Sequence, residues 1–274
     1  MHGDLLVVIK KIIQMKCFVF TVIFFLSLNQ GFSNNYDWGQ TGHRTTGEVA
    51  DNHLSKKARK QIEKLLQGKS LAFVSTFGDE IKSDSKYREF GPWHYVNLPK
   101  GETKYSKENA NPEGDLLMAI KKCVEVLKDK NATRENKEFY LKMLVHFIGD
   151  LHQPLHTGRG EDRGGNDIQV RWFGEGSNLH RVWDSDMIDY NNMSYSEMAQ
   201  NTKGLSELQK KQITSGTFED WMYESKALSE KVYASAKVGE KLGYRYMYDW
   251  FPVVREQLQK GGLRLASVLN EIYK

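Results

Sequence analysis

The sequence predicts an all-α protein: a single multi-helix domain over residues 38–274, preceded by an N-terminal leader over 1–37, with at most a small β-hairpin. Three observations predict it. Apolar residues recur at three- and four-residue intervals through most of the chain beyond the leader, as one buried helix face requires. Only one stretch alternates apolar and polar residues in the manner of a strand. No repeat, low-complexity run or long linker divides the chain after the leader.

In chain order, helices are expected over 42–54, 55–67 and 70–83, with Gly68 ending the second. The next covers 112–129, where Pro112 suits the first turn. A long helix over 134–152 follows, and Pro154 ends it because proline cannot donate to the ladder. Further helices are expected over 179–189, 205–214, 217–240, 244–259 and 262–273, the last of them as structural packing. The strand candidate is Asp167–Phe173, which alternates and is bounded by glycines.

Met15-Lys16-Cys17 followed by the apolar run Phe18–Leu28 has the form of a basic n-region and a short h-region. This reads as a secretory signal peptide, with residues 1–14 an upstream extension and Met15 the natural start. The alternative is an uncleaved anchor, for which the run is short. The expected location is secreted or periplasmic. Of the two cysteines, Cys17 lies in the leader, so Cys123 has no partner for an intramolecular disulfide. Cys123 falls in the apolar pattern Leu116, Leu117, Ile120, Val124, Leu127 and reads as a core residue. A formal charge of +4 neither demands nor excludes a polyanionic substrate.

The chemistry is concentrated between His146 and Asp184. His146-Phe-Ile-Gly-Asp150-Leu-His152-Gln-Pro-Leu-His156 is followed by Asn178-Leu-His180-Arg-Val-Trp-Asp184. His146 and Asp150 are four apart, as are His180 and Asp184, so each pair shares one face of a helix. Imidazole nitrogen and carboxylate oxygen are the donors zinc favours. Weaker candidates lie upstream: Trp38 and His43 before the first helix, Asp79 and Lys82 at the end of an apolar run, and Pro92-Trp-His94-Tyr95-Val-Asn97 in an aromatic loop.

These motifs, in this order from Trp38 to Asp184, resemble the zinc-dependent single-strand nucleases typified by the fungal S-one and P-one enzymes, whose fold relative is the bacterial zinc phospholipase C. The resemblance implies that family's all-α body and three zinc ions. Residue by residue, it implies that Asp79, His94, His146 and Asp150 hold one ion. His156, His180 and Asp184 would hold a second. Trp38 and His43 would hold the third, with Asp150 bridging to the first. Asp79 would also orient the attacking water, and Lys82 would stabilise the transition state; a surface lysine is the plainer reading of Lys82. Tyr95 matches the residue that stacks a base, Asn97 and Asn166 further contacts, although Asn97 stands where the fungal enzymes carry an acid. Core packing is the plainer reading of Tyr95. His152 matches a position that is not a ligand, and His53 matches nothing.

The implied activity is hydrolysis of single-stranded DNA and RNA to 5′-phosphorylated products, with 3′-nucleotidase activity and no stable membrane or protein partner. The alternatives are a zinc phospholipase C, against which Asp184 stands in place of glutamate, and a non-catalytic zinc-binding helical protein. In the family the tryptophan is the mature N-terminus. Here cleavage near Ser33 fits the small-residue rule better, which would leave a short tail on Trp38.

Overall fold

The computed structural model describes residues 39–99, 104–106, 108, 110–200 and 204–274; the leader and Trp38 lie outside these. Helix α1 (Gln40–Asn52) and α2 (Lys56–Leu65) open the fold, followed by two single turns, α3 (Leu71–Val74) and α4 (Phe77–Glu80). Two 3₁₀ segments, Ile81–Ser83 and Ser85–His94, lead towards α5 (Leu116–Lys128) and α6 (Arg134–His152). A 3₁₀ turn at Pro154–Thr157 precedes strands β1 (Gln169–Trp172) and β2 (Glu175–Asn178). Then α7 (Leu179–Arg181) runs through a π turn, Val182–Asp186, into α8 (Met187–Tyr190). The chain closes with α9 (Tyr195–Ala199), α10 (Glu207–Ile213), α11 (Phe218–Ala234), strand β3 (Lys241–Leu242) and α12 (Tyr244–Ile272). The architecture is all-α with one small sheet, as the periodicity predicts.

Helix α6 organises the fold. Thr133 caps its start by accepting from the Asn136 backbone amide. Every residue from Met143 to His152 is buried, so this half is surrounded by protein on all sides. Its apolar positions join α5 and the C-terminal half of α12 in the larger core, which also buries Cys123 completely. A second core gathers the sheet, α8, α11 and the first half of α12, with Trp183 at its centre.

Several elements differ from expectation for identifiable reasons. The helix expected over 70–83 is broken after Val74, because the Ser75 carbonyl accepts from His146 Nδ1 at 2.8 Å instead of extending the ladder. The fourth helix begins at Leu116, capped by Asp115, rather than near Pro112. Helix α11 stops at Ala234 because the following chain pairs with β1: Gly239 donates to the Gln169 carbonyl at 2.7 Å, and Arg171 donates to Glu240 at 2.8 Å. This adds the parallel strand β3 to the expected hairpin, in register Arg171 with Lys241 and Trp172 with Leu242. The hairpin itself turns at Phe173 and Gly174, both at positive φ (49° and 96°), as a two-residue turn requires.

The expected break before residue 262 is absent, and α12 runs on to Ile272. Gly261 and Gly262 serve close packing: a Cβ on Gly262 would lie 2.4 Å from Val49, where α12 crosses α1. The short α9 was not expected, although Ser194 and Glu197 form a capping box there.

Candidate metal centre

Six elements of the chain converge on one buried cluster. The first turn of α1 supplies His43, α4 supplies Asp79, and the end of the long 3₁₀ segment supplies His94. Helix α6 supplies His146 and Asp150 from one face, four residues apart. The turn after α6 supplies His156, and the α7–π turn segment supplies His180 and Asp184. Within this cluster three triads bring their ligand atoms within 4.8 Å of one another: His43, His146 and Asp150; Asp79, His94 and His146; and His156, His180 and Asp184.

Asp150 stands between the first two triads. Its Oδ1 lies 3.4 Å from His43 Nε2, while its Oδ2 lies 3.0 Å from His94 Nδ1 and 3.3 Å from His146 Nε2. The two oxygens of one carboxylate thus face two different groups of donors, the arrangement a bridging ligand needs. The histidines are also held in defined tautomers. His146 Nδ1 donates to Ser75 O at 2.8 Å, His156 Nδ1 to His94 O at 2.6 Å, and His180 Nδ1 to Gly164 O at 2.7 Å. Each hydrogen bond places a proton on Nδ1 and turns Nε2 towards the cluster, the arrangement typical of metal-ligating histidine.

The donor set fits metal ions. His43 Nε2, Asp150 Oδ1, His156 Nε2, His180 Nε2 and Asp184 Oδ2 are buried without a hydrogen-bond partner. Unpaired buried polar atoms are costly, and buried charges ordinarily pair or coordinate metals. The charge distribution agrees. Burial alone would raise the Asp150 carboxyl, but the His146 and His156 imidazoles hold it well below the usual carboxylate range. Burial works against a proton on His146 too, yet Asp150 and Asp79 lift it to about 10. Three carboxylates among five closely spaced imidazoles form a site that a cation would satisfy.

Two glycines make room for this packing. A Cβ on Gly78 would lie 2.4 Å from His146 Cδ2, and one on Gly149 would lie 2.7 Å from His43 Nδ1. The His43 ring is stacked on that of His146, 3.9 Å between centroids.

The family model described as S1/P1 Nuclease matches residues 38–274. The chain belongs to this family. It is similar to Endonuclease 2 of Arabidopsis thaliana, 27% identical with 88% of this chain and 92% of that protein aligned. Endonuclease 5 of the same plant is 31% identical, with 86% and 90% aligned. Nuclease S1 of Aspergillus oryzae is 30% identical, with 86% and 92% aligned. The protein is therefore a nuclease, an enzyme that hydrolyses phosphodiester bonds.

A pocket of about 510 Å³ opens beside the cluster of this S1/P1-family nuclease, and His94, His156 and His180 form part of its wall. Lys82, Tyr95, Asn97 and Asn166 also line it, so the structure brings these four candidates together. The Lys82 ammonium lies 3.0 Å from Asp79 Oδ1, and burial lowers it to about 8 against the pull of Asp150 and Asp184. Tyr95 is 39% exposed and so is not a core residue. Asn97 Oδ1 is buried without a hydrogen-bond partner, and Asn166 Nδ2 donates to Arg163 O at 2.9 Å.

Sequence reasoning missed Gln153, which donates from Nε2 to Asp184 Oδ1, and the pocket-lining Asn111 and Arg163. The signal for Gln153 was its place between His152 and Pro154 inside the ligand motif. His152 points away from the cluster: its Nδ1 donates to Ile148 O at 2.7 Å, and its Nε2 accepts from Arg264 at 3.0 Å. His53 caps the end of α1, with Nδ1 2.8 Å from Val49 O.

Proposed function

We propose that this nuclease is a trinuclear zinc phosphodiesterase that hydrolyses single-stranded DNA and RNA to 5′-phosphorylated products and removes phosphate from 3′-nucleotides. The observation that carries this reading is the buried cluster of unpartnered donor atoms opening into a pocket lined by an aromatic ring and side-chain amides. Asp79, His94, His146 and Asp150 would hold one zinc; His156, His180 and Asp184 a second; His43, Asp150 and Trp38, which lies outside the described residues, the third. Zinc ions bound there would supply a water of near-neutral pKa and neutralise charge on the phosphate oxygens.

The rest of the work falls to the protein. Asp79, 16% exposed and 3.0 Å from the ammonium of the pocket-lining Lys82, orients the attacking water. Lys82, beside it, offsets the negative charge that builds on the phosphate as the 3′ oxygen departs. Tyr95 offers a face on which an unpaired base stacks, which favours single strands and tolerates varied sequence. Asn97 Oδ1 accepts from the base, and Asn166, which lines the same pocket, adds a further contact. In the same reading residues 1–37 form the leader of an exported enzyme and 38–274 the catalytic domain.

The test is turnover by the zinc-loaded enzyme on single-stranded DNA, single-stranded RNA, a 3′-mononucleotide and phosphatidylcholine vesicles. Cleavage of the first three with 5′-phosphate ends is the expected result. Turnover of the vesicles alone would overturn the reading.

A further inference from the structure

The loop between Gly158 and Asn166 supplies the carbonyl that fixes His180, and it forms one wall of the pocket through Gly160, Arg163, Gly164 and Asn166. The loop is a run of turns closed by its own backbone bonds, among them Gly164 N to Arg159 O at 2.8 Å, and Arg159 bridges to Leu98. A side-chain anchor comes from α11. The Tyr233 hydroxyl accepts from the Arg159 backbone amide at 3.0 Å and donates to Asp162 Oδ1 at 2.8 Å. Asp162 Oδ1 in turn accepts from the Gly165 backbone amide at 2.8 Å. Gly164 and Gly165 then hold His180 from both sides: Gly164 O accepts from its ring at 2.7 Å, and Gly165 O accepts from its backbone amide at 3.3 Å.

The phenol is itself immobilised. Tyr233 is 8% exposed, and the Arg159 guanidinium lies 4.2 Å from its ring centroid while pairing with Glu230, one turn earlier on α11, at 2.5 Å. The backbone closes directly on the hydroxyl, since a Cβ on Gly158 would lie 2.7 Å from it. Burial raises the phenol's pKa, so it stays a neutral donor and acceptor throughout the working range.

We propose that Tyr233 is a positioning residue for the second metal site: its hydroxyl ties the two ends of the loop together and so sets the Gly164 carbonyl that aims His180 Nε2 at the ion. The inference rests on the zinc reading above. Tyr233 touches neither metal nor substrate in this scheme; it acts through Asp162 and the glycine pair. Tyr233→Phe removes the hydroxyl while keeping the ring and its contact with Arg159.

The experiment is a chelator titration of the purified, zinc-loaded enzyme, with bound zinc counted at each step for the parent, Tyr233→Phe, Asp162→Ala and the double variant. Outer-shell partners of metal-ligating histidines typically alter affinity about 10- to 100-fold, and Tyr233, one bond further out, should sit near tenfold. One zinc equivalent is expected to leave Tyr233→Phe at about tenfold lower chelator concentration, with the others unmoved. The double variant should be no worse than the worse single, because both remove the same link. Excess zinc should restore the kcat of Tyr233→Phe, which a purely structural defect would not allow. A Tyr233→Phe enzyme that keeps its full zinc complement at parental affinity, or loses every zinc alike, overturns the proposal. A parent that binds no zinc overturns the zinc reading itself, which separates the two failures.

Discussion

Gln153 donates its side-chain amide to Asp184 Oδ1 at 2.9 Å, joining residues 31 apart in sequence at the heart of the second triad. The amide's orientation is fixed, because its oxygen accepts from the Leu155 backbone amide, which can only donate. One oxygen of Asp184 is thereby occupied, and the other, Oδ2, is left facing His180. Gln153→Met should preserve the packing and remove the donor. The expected result is release of one zinc at about 10- to 100-fold lower chelator concentration. Parental affinity for all zinc equivalents would show that Asp184 needs no such anchor.

Gly149 offers a test in which helix propensity and site geometry oppose each other. In an ordinary helix interior, glycine to alanine stabilises by roughly 1 kcal/mol. Here the added Cβ would stand 2.7 Å from His43 Nδ1, whose ring is already pressed against His146. In the metal-free protein the His43 ring can swing aside. In the zinc-loaded protein it cannot do so without losing its ligand position. Gly149→Ala should therefore leave the metal-free melting temperature unchanged or raised while lowering that of the zinc-loaded enzyme. Equal shifts in both states would count against the close-packing argument.

What the sequence revealed, and what it hid, follows from the range of the interactions involved. His146 with Asp150, and His180 with Asp184, were legible because helical spacing alone puts each pair on one face. The break after Val74 was not legible, since its cause is a hydrogen bond to an imidazole 71 residues later. The break expected between 259 and 262 falls at Gly261 and Gly262, and glycine occurs both at helix ends and at close helix crossings. Only the Val49 contact distinguishes the two. Strand β3 depends entirely on pairing with a distant partner, and its two residues carry no strand pattern of their own.

In the proposed mechanism Lys82 and Asp79 have separate roles that mutation can distinguish. The ammonium lies 3.0 Å from Asp79 Oδ1 and borders the pocket. Lys82→Met should lower kcat by about 100- to 1,000-fold, the scale of losing one transition-state charge donor. Its zinc content should not change, because no ligand is lost. Asp79→Asn should abolish turnover while leaving zinc content largely intact. Strong residual activity in the latter would refute its role in activating water.

Asp51 gives the pH dependence of folding a defined sign. Its Oδ2 accepts from the Leu71 backbone amide at 2.8 Å, linking α1 to α3. Burial raises the carboxyl to about 6 in spite of that hydrogen bond. Between about pH 4 and about pH 6 the folded chain thus binds a proton there that the unfolded chain has released. Stability from this group is greatest on the acid side and falls as pH rises through that window. Asp51→Asn keeps an acceptor for Leu71 and removes the buried charge. Denaturant unfolding of the metal-free protein should show Asp51→Asn at least as stable as the parent near pH 7 and less favoured near pH 4. A variant clearly weaker near pH 7 would mean the charge itself is stabilising.

Tyr95 separates a binding role from a packing role. Its backbone carbonyl accepts from Leu116 at 3.0 Å, so the main chain is fixed whatever side chain it carries. The ring, 39% exposed, faces the pocket that His94 and His156 border. Stacking of a base on an aromatic ring contributes ~1–3 kcal/mol, so Tyr95→Ala should cut kcat/KM on single-stranded DNA by about 5- to 150-fold. Tyr95→Phe keeps the stacking face and should remain near the parent. Because Tyr95 belongs to none of the apolar cores, Tyr95→Ala should shift the melting temperature little. A large drop in melting temperature with unchanged kcat/KM would make the ring a packing element. It would also move base recognition to the amides of Asn97 and Asn166 alone.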